Sequence, residues 1–181
     1  QSLTLDAFVP DGKGPHPAVI IVHGGGFRRG DKQTYVQPLF PVLTSAGLAW
    51  FTINYRLAPA SHFPDPVSDV VEAVRWVRLN SQKYRVDPSR IALVGESAGG
   101  HLVSYVGATN GRALGITAVA PFYAPHDLLD RAEKMGISEN VQLFLNIGPK
   151  LTPQSRELLK KASPYHHAHP GMPPYLLIHG T

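Results

Sequence analysis

Residues 93–100 read LVGESAGG, a stretch that places a serine among small residues directly after an apolar run. The apolar residues 91–95 predict a buried strand, and residues 97–108 predict a helix. Ser97 stands at the turn between them, in the pattern Gly-x-Ser-x-Gly. Such a turn strains the backbone and exposes the hydroxyl, while the flanking glycines remove Cβ atoms that would collide. We therefore predict that Ser97 is a nucleophile, although the same pattern also occurs by chance in glycine-rich turns.

A second motif supports this prediction. The sequence HGGGF at residues 23–27 directly follows the apolar run 18–23. Consecutive glycines allow backbone angles that direct successive N–H groups into one cavity. Acyl transfer requires such donors for the oxygen that gains negative charge. A plain flexible turn or a phosphate-binding loop are the alternatives, but no Gly-Lys-Ser/Thr follows. We predict an oxyanion hole made by three backbone N–H groups, those of Gly25, Gly26 and Ala98.

The rest of the chain alternates apolar runs with helical patterns. The runs lie at residues 18–23, 48–55, 91–95, 116–120 and 175–179, after an alternating segment at 3–9. Continuous apolarity is typical of parallel strands covered on both faces. Valines at helical spacing predict a helix over 66–82, and Pro38 and Pro41 weaken a second one over 33–46. This order predicts a single α/β domain over residues 1–181, a mostly parallel sheet with helices on both faces.

Two later segments have weaker patterns. Residues 127–160 show a broken helical pattern, which predicts a cap-like insertion of short helices. Residues 163–174 are a loop by composition.

Composition argues against several other classes of protein. The net charge is +4, and the 17 basic residues are scattered rather than clustered, so no nucleic-acid partner is expected. No apolar run approaches the roughly 18 residues of a membrane span. The chain has no cysteine, which excludes disulfides and thiolate chemistry and leaves the compartment open.

Four motifs together resemble a known family. They are HGGGF (23–27), NYRLAP (54–59), FPDPVSDV (63–70) and DPSRIALVGESAGGHL (87–102). They recur in this order in α/β-hydrolase esterases, and the chain resembles the hormone-sensitive-lipase-like carboxylesterases and the bacterial acetyl/feruloyl esterases. The segment 163–181 is also similar to the latter group.

The resemblance implies an α/β-hydrolase fold with Ser97 as the nucleophile. It further implies that the N–H groups of Gly25, Gly26 and Ala98 form the oxyanion hole, and that His23 shapes the glycine loop rather than acting as a base. It implies a small-molecule ester substrate and neither a metal nor an organic cofactor.

The catalytic acid and base are expected beyond Thr181. The family order is serine, acid, histidine, with the acid after the strand at 175–179 and the histidine one strand later. We therefore expect the sequence to be part of a longer chain that supplies the last strand and helix of the fold. The alternative is a complete chain without catalytic activity.

Residues within the chain offer weaker candidates for these roles. We expect His101 to lie behind the nucleophile, His179 to be structural or to line the pocket, and Glu96 to point away from Ser97 as a scaffold residue. Asp127, after His126, is expected to cap a helix. The loop histidines are interpreted as surface residues rather than metal ligands: His166, His167 and His169. Phe27 and the insertion are expected to contribute pocket walls.

The leading hypothesis is a serine carboxylesterase acting on short-chain acyl esters, with acetyl or feruloyl groups of plant-wall saccharides as candidate substrates. One alternative is a serine peptidase of the prolyl-oligopeptidase type. Another is a non-catalytic ligand-binding protein on an esterase scaffold.

Overall fold

The protein, described by a computed structural model over residues 3–180, contains a five-stranded sheet. Its strands in chain order are β1 (Leu5–Phe8), β2 (His16–Val22), β3 (Ala49–Ile53), β4 (Val86–Glu96) and β5 (Ile116–Phe122). They lie side by side in the order β1-β3-β2-β4-β5. Only β1 runs antiparallel to its neighbour, and the other pairs are parallel. The predicted mostly parallel sheet is therefore confirmed.

Six α-helices lie within the described residues: α1 (Leu39–Ser45), α2 (Asp65–Leu79), α3 (Ala98–Asn110), α4 (Leu128–Met135), α5 (Glu139–Leu145) and α6 (Pro153–Ala162). The segment predicted over 33–46 forms only the short α1. Pro38 caps α1 and Pro41 lies in its first turn, where a missing N–H does no harm. Across residues 3–180, none of the helices combines the length and apolarity needed to cross a membrane.

The two faces of the sheet bury different side chains of β2. Ala18, Ile20 and Val22 belong to the larger core, together with the apolar residues of α2 and α3. Val19 and Ile21 point to the opposite face, where α1 packs. A strand with both faces covered needs apolar residues at every position, which explains the continuous run AVIIV.

Two of the recurring motifs meet where α2 begins. The guanidinium of Arg56, from NYRLAP, donates to the carboxylate of Asp69 at 2.8 Å and lies 3.0 Å from that of Asp65. Both acids belong to FPDPVSDV. The hydrogen bonds to Asp69, followed by the nearby acidic charges, raise the pKa of Arg56. This contact fixes the segment after β3 against the first turn of α2.

The predicted strand at 175–179 is wrong in its extent. It lies beside β5 but forms only isolated bridges, Val119 with Tyr175 and Phe122 with Ile178. Pro121 lies between these two points and has no N–H to donate, so the middle hydrogen bond of the ladder is missing. The segment is also exposed, with Leu176 and Leu177 each at 63%.

The local structure of the two other late segments agrees with the sequence analysis, with one correction. Residues 127–160 contain the three short helices α4, α5 and α6, while their role as a cap stays a prediction. Within the predicted loop 163–174, Pro164–His167 forms one turn of 3-10 helix. The proline at its first position already has a suitable φ and lacks an N–H that would stay unpaired.

Leu93 and Leu79 offer a matched test of the core. Leu93 in β4 is fully buried, and Leu79 at the end of α2 is 85% exposed. We expect Leu93→Ala to lower the free energy of unfolding by about 2–5 kcal/mol, because it leaves a cavity. Leu79→Ala should change it by less than about 0.5 kcal/mol. Urea denaturation of both variants checks this, and equal losses would contradict the assigned core.

Candidate active site

Ser97 lies at the sharp turn between β4 and α3, with φ 51° and ψ −115°. The left-handed φ is costly for a residue other than glycine. Its backbone N–H donates to the carbonyl oxygen of Phe122 at 2.9 Å, which ties the turn to the end of β5. The strained strand–turn–helix geometry predicted for Ser97 is therefore present.

Two glycines make this turn possible. A Cβ on Gly95 would lie 2.5 Å from the carbonyl carbon of Gly99. A Cβ on Gly99 would overlap the carbonyl oxygens of Val22 and His23. The turn therefore sits directly against the end of β2, where the glycine loop begins.

One backbone N–H group of the glycine loop donates a hydrogen bond in the described structure, and the next two donate none. The N–H of Gly24 donates to the Glu96 carboxylate at 2.6 Å. Those of Gly25, Gly26 and Ala98 donate no hydrogen bond within residues 3–180. Gly26 and Ala98 line the same cavity as Ser97, whereas Gly25 is not part of that lining. Two of the three predicted donor residues, Gly26 and Ala98, thus line the same cavity as Ser97, and the role of all three as donors stays a prediction.

His23 supports the loop from inside the protein. Its Nδ1–H donates to the carbonyl oxygen of Gly24 at 2.7 Å, and its ring stacks on Tyr55 with centroids 4.4 Å apart. The Tyr55 hydroxyl donates to the His23 carbonyl at 3.1 Å. Burial lowers the pKa of His23, which favours the neutral ring. This environment suits the structural role that the resemblance implies for His23.

Glu96 is buried beside the nucleophile, with 7% exposure. Its carboxylate is directed at the N–H of Gly24, so it connects the serine turn to the glycine loop. Burial, followed by the nearby Glu96 carboxylate, raises the pKa of Tyr123 to about 12. This placement agrees with the expected scaffold role.

The cavity above Ser97 has a volume of about 290 Å³. Residues from the 127–160 segment form part of its wall, among them Arg131 of α4 and Asn140 of α5. Asn140 also contacts Gly26, because its amide occupies the position that a Cβ there would take. Tyr123 and His179 contribute to the lining as well. Sequence reasoning named the segment but not Arg131, Asn140 or Tyr123, and no motif marks them.

Phe27 lines the cavity, although most of its side chain is buried. It belongs to the lining, but it is only 3% exposed and its ring stacks on Phe144 at 3.9 Å. Its carbonyl oxygen accepts the N–H of Ala58, from NYRLAP, at 2.9 Å. Its side chain therefore belongs mainly to the core beneath the site.

The histidines within the chain occupy separate environments. His101 is fully buried, its Nδ1–H donates to the Pro125 carbonyl at 2.8 Å, and burial lowers its pKa to about 4. His179 lines the cavity but forms no hydrogen bond with Ser97 in the described structure. His126 Nε2 lies 3.1 Å from the Ser104 hydroxyl. None of the three is hydrogen-bonded to the Ser97 hydroxyl.

Asp127 and the loop histidines have local partners. The Asp127 carboxylate accepts the N–H groups of Leu129 and Asp130 at 3.0 Å each, so it caps α4 as predicted. The Nε2 atoms of the loop histidines lie near separate acceptors: His166 near Asp127, His167 near the Lys161 carbonyl and His169 near the Ala108 carbonyl. Within residues 3–180, no three His, Cys, Asp or Glu side chains are grouped so that they could hold a metal.

A strained serine turn at the end of one parallel strand, beside a glycine loop at the end of the next, is the arrangement of α/β-hydrolases. The chain belongs to the BD-FAE family, whose model matches residues 5–181. The predicted resemblance to α/β-hydrolase esterases is thereby confirmed.

Named proteins show the same likeness. The "probable carboxylic ester hydrolase LipM" of Mycobacterium tuberculosis is 29% identical over 192 residues, covering 92% of this chain and 41% of LipM. The chain thus spans about two fifths of the length of this curated relative.

Two solved structures have the same fold. A "truncated form of carbohydrate esterase from gut microbiota" has a TM-score of 0.86 and 26% identity, covering 97% of this chain and 70% of that one. An "acetyl ester-xyloside bifunctional hydrolase" from Caldicellulosiruptor lactoaceticus has a TM-score of 0.77 and 27% identity, covering 96% and 64% respectively.

The close approach at Gly99 predicts a position-specific effect of adding one methyl group. In Gly99→Ala the new Cβ meets the backbone of β2, so we expect a loss of several kcal/mol or failure to fold. Gly148→Ala is the control, because nothing lies within 4 Å of a Cβ there. Thermal unfolding of both variants is the measurement. A stable Gly99→Ala protein would contradict the described turn.

The contact between Glu96 and Gly24 predicts unequal effects of two substitutions. Glu96→Ala leaves the Gly24 N–H without its acceptor and should lower the free energy of unfolding by about 1–3 kcal/mol. Glu96→Gln keeps an acceptor oxygen and should cost less. Denaturant titrations of the two variants test this, and an equal loss in both would show that the carboxylate does not hold the loop.

Proposed function

We propose that the protein is a serine carboxylesterase with Ser97 as its nucleophile. The observation that carries the proposal is the shared cavity: Ser97, in its strained turn, lies beside the free N–H groups of Gly26 and Ala98. Hydrolysis of an ester needs an exposed hydroxyl and preorganised donors for the developing oxyanion, and this arrangement provides both. Gly25 is proposed as a further donor of the same loop.

In the proposed reaction the Ser97 oxygen attacks the ester carbonyl carbon while its proton passes to a histidine. The carbonyl oxygen becomes an oxyanion that accepts hydrogen bonds from Gly26 and Ala98. The tetrahedral intermediate then collapses, and the alcohol leaves with the proton from the histidine. Water attacks the acyl-enzyme by the same route, which releases the carboxylic acid and restores the serine. The family order of residues places this histidine, and the acid that orients it, beyond Thr181.

We propose short acyl groups on saccharide alcohols, acetyl or feruloyl, as the substrates. The small cavity over Ser97 favours the compact acetyl group over the larger feruloyl group. The two solved neighbours are titled as a carbohydrate esterase and an acetyl ester-xyloside hydrolase, which supports the saccharide part of the proposal.

Replacement of the nucleophile in the full-length chain tests the reaction. Ser97→Ala should lower kcat for 4-nitrophenyl acetate by about 10⁴-fold or more, because alanine has no hydroxyl that can attack the ester. Ser68→Ala is the matched control, because Ser68 is exposed on α2 and distant from the cavity lining. It should keep the parent activity.

Three outcomes would contradict the proposal. Unchanged kcat in Ser97→Ala would exclude Ser97 as the nucleophile. A parent protein that binds esters without turnover would indicate the ligand-binding alternative, and faster cleavage of an aminoacyl amide than of a matched ester would indicate the peptidase.

A further inference from the structure

Within residues 3–180, the side chains that line the cavity over Ser97 carry positive but no negative charge. Thirteen residues of the described chain line it, and Arg131 is the only one among them with a permanent charge. None of the thirteen is an aspartate or a glutamate. His179 is the only other lining side chain that can become cationic near neutral pH. The permanent charge among the described lining residues is therefore positive, and the buried carboxylate of Glu96, next to Ser97 in the chain, accepts the Gly24 N–H.

The guanidinium of Arg131 has no carboxylate partner within residues 3–180, because the neighbouring acids are paired elsewhere. On α4, Asp130 lies 2.8 Å from the Lys134 ammonium, and Glu133 pairs with Arg156. At the start of the same helix, Asp127 accepts two backbone N–H groups.

On the neighbouring helix α5, Glu139 lies 2.9 Å from the guanidinium of Arg28. Arg131 itself donates no side-chain hydrogen bond and forms no ion pair with the described residues. An unpaired guanidinium on the wall of a cavity is available to a ligand.

The wall around Arg131 is polar on the side of the nucleophile. Asn140 and Ser138 also line the cavity, and the Asn140 amide is in contact with Gly26, one of the proposed oxyanion donors. A substrate held over Ser97 therefore meets amide, hydroxyl and guanidinium groups on this side. Guanidinium presents its N–H donors in a planar fork that matches a carboxylate.

We propose that this site selects esters that carry a carboxylate near the scissile bond and that Arg131 binds this carboxylate. The inference rests on the proposed esterase function and names its substrate class. The carboxylate belongs either to the acyl part, as in a half ester of a dicarboxylic acid, or to the alcohol part, as in an acylated uronate. The bound chemistry, guanidinium against carboxylate, is the same in both.

Matched pairs of substrates separate these two sources. The acyl pair is monomethyl succinate and methyl succinamate, which differ in a carboxylate against an amide. The alcohol pair is 4-acetoxybenzoate and 4-acetoxybenzamide. In the full-length parent protein, kcat/KM should favour the carboxylate member of at least one pair by about fivefold, the size expected for a contact at an exposed guanidinium. The preference should shrink as ionic strength rises.

Three variants assign this preference to Arg131. Arg131→Gln should reduce the ratio to about 1, because the carboxylate member loses its charged partner and the amide member loses no ion pair. Arg131→Lys should retain part of the ratio. Arg112→Gln is the control: it removes the same charge from an exposed residue that does not line the cavity, so it should keep the parent ratio.

The outcomes distinguish this inference from the proposed function. Equal kcat/KM for both members of each pair in the parent would overturn the inference and leave the esterase proposal intact. An equal fall for all substrates in Arg131→Gln would also overturn it, because it would indicate a structural role. If the parent hydrolyses none of the four esters, the proposed function fails and the inference fails with it.

Discussion

The site depends on the contact between the backbone of the serine turn and the end of β2. Gly99 lies so close to the carbonyl oxygens of Val22 and His23 that no larger residue fits there. Since the glycine loop starts at His23, this contact fixes the distance between Ser97 and the loop. The parallel pairing of β2 with β4, which extends to Val22 opposite Gly95, holds the contact in place.

The glycine loop itself is held from several directions. The Glu96 carboxylate accepts the N–H of Gly24, and the His23 ring donates to the Gly24 carbonyl oxygen. Arg28 forms an ion pair with Glu139 of α5. The Gly24 N–H is thus engaged, while those of the next two glycines have no partner within residues 3–180. Donors fixed in this way would need no rearrangement when charge develops, as the proposed reaction requires. These contacts hold a loop whose sequence alone would suggest flexibility.

The sequence predicted the features that depend on local chemistry. The glycines around Ser97, the triplet at 24–26 and the valine spacing of α2 each have a local steric or periodic cause. The length of the strand at 175–179 is overestimated, because the residue that interrupts its pairing, Pro121, belongs to the neighbouring strand β5. Phe27 lines the cavity as expected, but its stacking on Phe144 joins residues distant in the sequence and could not be predicted from a local pattern. Arg131 and Asn140 have no motif, and only the packing of α4 and α5 brings them to Ser97.

The missing hydrogen bond at Pro121 also affects how firmly one wall of the cavity is held. His179 belongs to the lining, yet it follows a segment joined to β5 by two separated bridges and exposed to solvent. Ser97, by contrast, stands between β4 and α3, and its N–H donates to the Phe122 carbonyl at the end of β5. Local opening is easiest where few buried contacts hold the chain. Within the described residues, the two sides of the cavity are therefore held unequally, one by regular elements and the other by an interrupted pairing.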